Sequence, residues 1–180
     1  MACKPITEKK LIEKIKQKYI EHNQKRDLLI FLLAINTGTK LTELLKLKVC
    51  DVKNKNKLVI KDSLKNLKKE LPLNNEIKGL IKEYTKDRNL NEPLFISKAG
   101  KSIDRVQVFR NFKEICVELG IENDYSILSW RKTFGYHYYK KYGDLAILEW
   151  LFNQTSVVET LKFIGINENL NSHFKLDFSL

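Results

Sequence analysis

Apolar positions along the chain recur mostly at helical spacing. Leu11, Ile12, Ile15, Tyr19 and Ile20 repeat every three or four residues with lysines between them, and Thr7 stands where its hydroxyl can cap the start. The next block, from about Gln24 to Gly38, is apolar almost all round, which predicts a helix at the centre of the fold. Its longest apolar run, Leu28 to Ile35, has eight residues and is too short to span a bilayer. Thr39 or Lys40 then opens a short helix over Leu41 to Lys46.

The period next switches to two. Asp51 to Pro72 reads as a small antiparallel hairpin, with Leu58-Val59-Ile60 in one strand, Leu71-Pro72-Leu73 ending the other, and a lysine-rich turn between. Asn75 can cap a helix through Ile77, Leu80, Ile81 and Tyr84. Leu94-Phe95-Ile96 is followed by the turn Lys98-Ala99-Gly100-Lys101. Ser102 or Asp104 starts a helix carrying Val108, Phe112, Ile115 and Leu119, stopped by Gly120. Three further helices close the pattern. Ser129 is placed to cap the first and Gly143 to end it; Asp144 caps the second; Ser156 with Glu159 forms a capping box for the third, which runs into Phe163. Phe134, Tyr138, Leu145, Leu148 and Leu151 bind the three together. The expected class is mainly α with a small antiparallel β-sheet, an α+β arrangement in one domain over residues 1–180.

Composition narrows the partners. Lys and Arg number 33 against 22 acids, and the net charge of +11 favours an anionic partner, nucleic acid first and an acidic membrane surface second. Cys3, Cys50 and Cys116 form no Cys-x-x-Cys pair and read as reduced and structural, while His22, His137 and His173 are dispersed; no metal site or cofactor is expected. The start, Met-Ala-Cys-Lys-Pro, lacks the apolar core of a signal peptide, so the expectation is a cytoplasmic protein with no membrane partner.

The stretch from Ser129 to Ile166 carries most of the chemistry. Leu128-Ser129-Trp130-Arg131-Lys132-Thr133-Phe134, Phe152-Asn153-Gln154-Thr155-Ser156 and Thr160-Leu161-Lys162-Phe163-Ile164-Gly165-Ile166 follow one another with telling spacing. They resemble the tyrosine recombinase (phage integrase) catalytic domain, whose members read His-x-Leu-Arg-[His/Lys]-Thr-Phe, Leu-x-His-Ser-Ser and Thr-Leu-[Arg/Lys]-Tyr. Upstream, Asn36-Thr37-Gly38-Thr39-Lys40-Leu41-Thr42-Glu43-Leu44-Leu45 resembles the family's Thr-Gly-Leu-Arg-Ile-Ser-Glu-Leu, and Leu94-Phe95-Ile96 resembles its short Leu-Phe strand. The resemblance covers about residues 6–168, leaves 169–180 as a tail, and lacks the family's N-terminal DNA-binding arm. It implies the DNA breaking-and-rejoining fold and double-stranded DNA as partner.

In that family a tyrosine oxygen attacks a DNA phosphate and leaves a 3′-phosphotyrosyl link. The resemblance therefore assigns six positions here: Lys40, Lys65, Leu128, Arg131, Gln154 and Phe163. Phe163 keeps the aromatic ring and lacks the reacting atom. Lys40 keeps the charge of the first phosphate-clamping arginine without its two-pronged fork, and Arg131 matches the second. Leu128 stands where the family has a proton-shuttling histidine. Gln154 replaces a second His or Trp and can still donate to a phosphate oxygen. For the hairpin lysine that protonates the leaving hydroxyl, Lys65 is nearest, with Lys68 and Lys69 competing. Lys132 adds a further cation beside Arg131.

Groups able to bind phosphate (Lys40, Lys65, Lys68, Arg131, Lys132, Gln154) persist, whereas the nucleophile and a proton carrier are gone. The leading expectation is a DNA-binding protein that does not cut, acting in or regulating recombination, integration or transcription. The alternative is an active, divergent recombinase using another tyrosine. Tyr136, Tyr138, Tyr139 and Tyr142 lie on the helix after Arg131, where packing accounts for them. A third reading is a protein-interaction module, with the alternating His173, Phe174, Leu176, Phe178 and Leu180 of the tail joining copies into a homo-oligomer or packing on their own domain.

Overall fold

Eight α-helices and one two-stranded sheet make up the described part of the protein, a computed structural model that describes residues 3–62, 67–97, 99–121 and 124–166. In chain order they are α1 (Lys9–Glu21), α2 (Lys25–Thr37), α3 (Leu41–Leu44), β1 (Lys57–Asp62), β2 (Leu67–Pro72), α4 (Asn75–Tyr84), α5 (Arg105–Glu118), α6 (Ile127–Tyr142), α7 (Leu145–Phe152) and α8 (Val157–Phe163). A single 3-10 turn, Val49–Asp51, leads into the hairpin. The mainly helical class with a small antiparallel sheet is what the periodicity predicts. No helix among the described residues is long and apolar enough to cross a membrane.

The apolar block over α2 becomes the centre of the molecule. Leu28 through Ala34 are all buried, and α6, α4, α1 and α5 lie around them. Phe31 on α2, Phe112 on α5 and Trp130 on α6 form an aromatic knot, Trp130 standing edge-on to Phe31 at 5.5 Å and to Phe112 at 5.0 Å. One carboxylate is buried at the head of α2. Asp27 is accommodated because Arg26 Nη2 donates to one oxygen at 2.8 Å and Asn111 Nδ2 to the other at 2.9 Å.

Gly38 ends α2 in the left-handed region at φ 64°, and a Cβ there would sit 2.7 Å from Phe134 Cδ1. Glycine thus turns the chain sharply beneath α6, keeps Thr39 buried and delivers Lys40 to the surface beside it.

Several boundaries differ from the sequence reading. The cap of α6 is Ser126, which accepts the Leu128 N–H at 3.3 Å, whereas Ser129 lies inside the first turn and its Oγ accepts the Ser126 N–H at 3.0 Å. Two serines three residues apart share the capping box, so either could be read as its start. Glu8, not Thr7, precedes α1; Asn74, not Asn75, caps α4. Around Leu94-Phe95-Ile96 there are only isolated bridges, Lys48 with Pro93 and Ile96 with Ser102, and among the described residues no second strand runs alongside. Asp104 caps α5, Asp144 caps α7 and Ser156 caps α8.

Candidate functional site

Residues from four elements converge around Arg131. It lies in the second turn of α6, 8% exposed, with its guanidinium carbon 4.6 Å from the Phe152 ring centroid and Nη2 3.4 Å from the Leu151 carbonyl oxygen. Burial holds its pKa down to about 10, partly opposed by the negative charge of Glu43. At neutral pH the guanidinium is therefore a desolvated cation with few partners of its own, the state in which an approaching anion gains most.

Lys40 sits at the head of α3, exposed, and its backbone N–H donates to Glu43 Oε2 at 3.1 Å. Glu43 is thereby held beside the cations rather than turned to solvent. From the hairpin comes Lys69, 5% exposed, donating to the Leu151 carbonyl at 3.1 Å and to Asn153 Oδ1 at 2.6 Å. Lys40, Glu43, Lys69, Arg131 and Asn153 line one crevice whose free volume is about 10 Å³. That is room for about one water. A phosphate would meet this group from its mouth, where Lys40 is exposed, and not inside.

On the other side of Arg131 lies a larger cavity of about 190 Å³, lined by Lys40, Arg105, Leu128 and Trp130 among others. Leu128 is 47% exposed there, an unusual setting for leucine on a cationic surface.

The remaining expected positions fall as follows. Lys65 lies outside the described residues, as does the tail 169–180. Lys68 is exposed, on the face of β2 opposite Lys69. Lys132 points away from the crevice, its Nζ 5.3 Å above the Phe163 ring. Gln154 does not line the crevice; Asn153 does, and the buried Gln154 Oε1 has no hydrogen-bond partner. The reason is the left-handed conformation of Asn153 at the end of α7 (φ 58°), which turns its own amide toward Lys69 and carries Gln154 past. Phe163 ends α8, half-buried, its ring 5.1 Å from Phe152 at 64°. Phe152 thus stands between Arg131 and Phe163.

None of the seven tyrosines lines the crevice or the cavity. Tyr136, Tyr138 and Tyr142 make ring contacts on α6, Tyr138 lying tilted 5.5 Å from Phe134 and 4.8 Å from Tyr142. At about 1.5 Å of rise per residue, Tyr138 is about 10 Å along the helix from Arg131.

Lys69, Glu43, Asn153 and Arg105 do not stand out in the sequence as site residues, although Lys69 competes with Lys65. A signal for Lys69 existed. It alternates with Leu71 and pairs with the buried Ile60, so period two places it on the inward face.

Comparisons with known proteins bear on the family and the fold. The profile of the phage integrase family matches residues 6–168. A probable integrase/recombinase YoeC of Bacillus subtilis (strain 168) is 36% identical over 166 residues, covering 92% of this chain and 91% of that one. Among solved structures, the XerA recombinase superposes with a TM-score of 0.76 at 17% identity, covering 96% of this chain and 62% of that one. The Tn1549 transposon integrase in complex with transposon right end DNA gives 0.78 at 13% identity, covering 96% and 65%. The chain thus spans under two thirds of the solved chains it resembles, and at such identities they bear on the fold alone. With the family profile over almost its whole length and a relative above a third identical, this chain belongs to the phage integrase family.

Proposed function

We propose that this chain is a DNA-binding member of its family that acts in DNA recombination or its control without cleaving strands. One observation carries the reading: the family's nucleophile position holds Phe163, a ring without an ionisable oxygen, packed through Phe152 against the buried Arg131. The cations on which a phosphate would rest are retained, and the attacking atom is not. Lys40, Arg131, Lys132 and the hairpin lysines Lys65 and Lys68 would meet backbone phosphates of double-stranded DNA, with Lys69 behind them. Such contacts orient the protein on the duplex and carry no sequence preference themselves. That the Tn1549 transposon integrase, similar in fold, was solved in complex with transposon right end DNA supports the partner.

The proposal places the protein in the cytoplasm, as one unit over residues 1–180, with the tail 169–180 as a route to homo-oligomers. Light scattering of a truncation at Asn169 tests the last point; an unchanged mass would remove it. For the main reading, two measurements suffice. A gel-shift series should show affinity falling with salt at a log–log slope of about −0.9 per phosphate neutralised. A nicked duplex that traps phosphotyrosyl intermediates should give no covalent adduct. A stable adduct would instead establish an active enzyme using some other tyrosine.

A further inference from the structure

A groove of about 600 Å³ shares no lining residue with the crevice or the cavity around Arg131. It runs between α1, α2 and α6, with Glu76 of α4 at its side. Lys140, on its rim, follows Arg131 by about two and a half helical turns, so the two side chains leave opposite faces of α6, about 14 Å apart along its axis. Whatever occupies the groove leaves the Arg131 face open.

The floor of the groove is apolar. Leu32 is buried at its base, and Ile12 and Ile35 are half-buried, packed on the core from below and open to the groove above. Apolar side chains gathered along a concave strip mark a binding surface, whereas the same residues scattered singly do not.

The rim carries one sign of charge in excess. Among the described residues the acids lining it are Glu13 and Glu76, and Lys16 binds both, at 3.2 and 2.6 Å. Lys9, Lys140 and Lys141 add three further cations and meet no further acid in the lining. Lys9 is exposed and makes no hydrogen bond or ion pair among the described residues, and the Lys141 ammonium lies 5.0 Å over the Tyr142 ring.

An apolar floor beneath a cationic rim selects its occupant. A DNA backbone offers charge but no apolar side chains to fill the floor, whereas an amphipathic helix with acidic flanks offers both. The chain's own tail is a poor match, because Lys175 and Asp177 are the charged side chains of residues 169–180 and cancel. We propose that this groove docks an acidic amphipathic helix of a second protein, its apolar side chains on Ile12 and Ile35 and its carboxylates on Lys9, Lys140 and Lys141. The proposal stands without the DNA-binding reading; where both hold, one molecule joins a duplex to an acidic partner.

The test uses the full chain with labelled isoleucine methyls and synthetic peptides of about 15 residues, long enough to form a helix. The first peptide has leucines at helical spacing with glutamates between them, and a second has glutamine in place of every glutamate. The acidic peptide should shift the Ile12 and Ile35 methyl signals and bind about tenfold more tightly than the glutamine peptide. Lys9→Glu combined with Lys141→Glu should invert the preference, so that a lysine version of the peptide binds the variant and the acidic one no longer does. Such a gain of binding requires a folded variant, and the methyl spectrum reports the fold directly. Absence of methyl shifts with the acidic peptide at millimolar concentration, or equal binding of the acidic and glutamine peptides, would overturn the proposal. Displacement of the peptide by duplex DNA would also overturn it, by making the groove a nucleic-acid surface. Tighter binding by a peptide of residues 167–180 would do the same, by making the groove the seat of the chain's own tail.

Discussion

Lys69 and Arg131 converge on one acceptor, the carbonyl oxygen of Leu151, at 3.1 and 3.4 Å. Two cations, one from the hairpin and one from α6, are thereby tied to the last turn of α7, where unsatisfied carbonyls carry partial negative charge. Lys69 is a strut as well as a charge. Replacing it with Met keeps the aliphatic length and removes two charge-assisted hydrogen bonds. We expect a loss of about 1–3 kcal/mol in denaturant unfolding, together with weaker DNA binding. Unchanged stability would mean the bond to Asn153 contributes nothing net.

Arg131 is expected to behave in the opposite way. A buried cation with a single long hydrogen bond to carbonyl costs desolvation that a hydrocarbon does not. Arg131→Met should therefore leave Tm the same or raise it, while DNA affinity at low salt drops at least tenfold. Calorimetry and anisotropy on the same sample check both. A large fall in Tm would assign Arg131 to structure rather than to binding.

Glu43 is the one acidic side chain in the crevice among the described residues. Glu43→Gln keeps an oxygen to accept the Lys40 N–H and removes the negative charge next to the phosphate site. At an effective dielectric near that of a protein surface, affinity should improve about two- to fivefold. Weaker binding would show that the carboxylate organises the cations more than it repels the ligand.

Restoring one oxygen should not restore chemistry. Phe163→Tyr alone is expected to give no covalent adduct on a nicked duplex, because Leu128 cannot carry a proton and Lys40 lacks the arginine fork. An adduct from the single variant would show that the remaining groups suffice.

The pH profile follows from the same residues. A base whose folded pKa is depressed is charged below that value, so the Arg131 contribution to anion binding is constant through neutral pH and lost only as pH rises through about 10. Among the described residues no histidine lines the crevice or the cavity. DNA affinity at constant ionic strength should be flat from about pH 6 to 9, and Leu128→His should introduce a step near roughly 6.5.

How much of this could be read from the residues alone depends on what encodes each part. The all-apolar run of α2 and the punctuation at Gly38, Gly143, Asp144 and Ser156 are local signals, and those elements stand close to where periodicity put them. Ser126 and Ser129 are chemically equivalent candidates for one cap, and sequence offers no way to choose between them. The site is harder, since a hairpin lysine is selected by register and by what β2 faces. Lys65, Lys68 and Lys69 differ in nothing a linear reading weighs except alternation. Glu43 and Arg105 reach the site through the Gly38 turn and the start of α5, placements that only tertiary packing specifies.

Gly135 lies one turn beyond Arg131 on α6, and a Cβ built on it would collide with Ile164 Cγ2 and stand 2.9 Å from Phe152 Cε2. A single hydrogen in place of a methyl thus acts as the gauge between the arginine-bearing helix and the helix that ends in Phe163. Any side chain there would pry the two apart and carry position 163 away from the guanidinium. The spacing between the two helices is thus enforced by the bulk of their neighbours, whether or not a reactive group occupies the end of it.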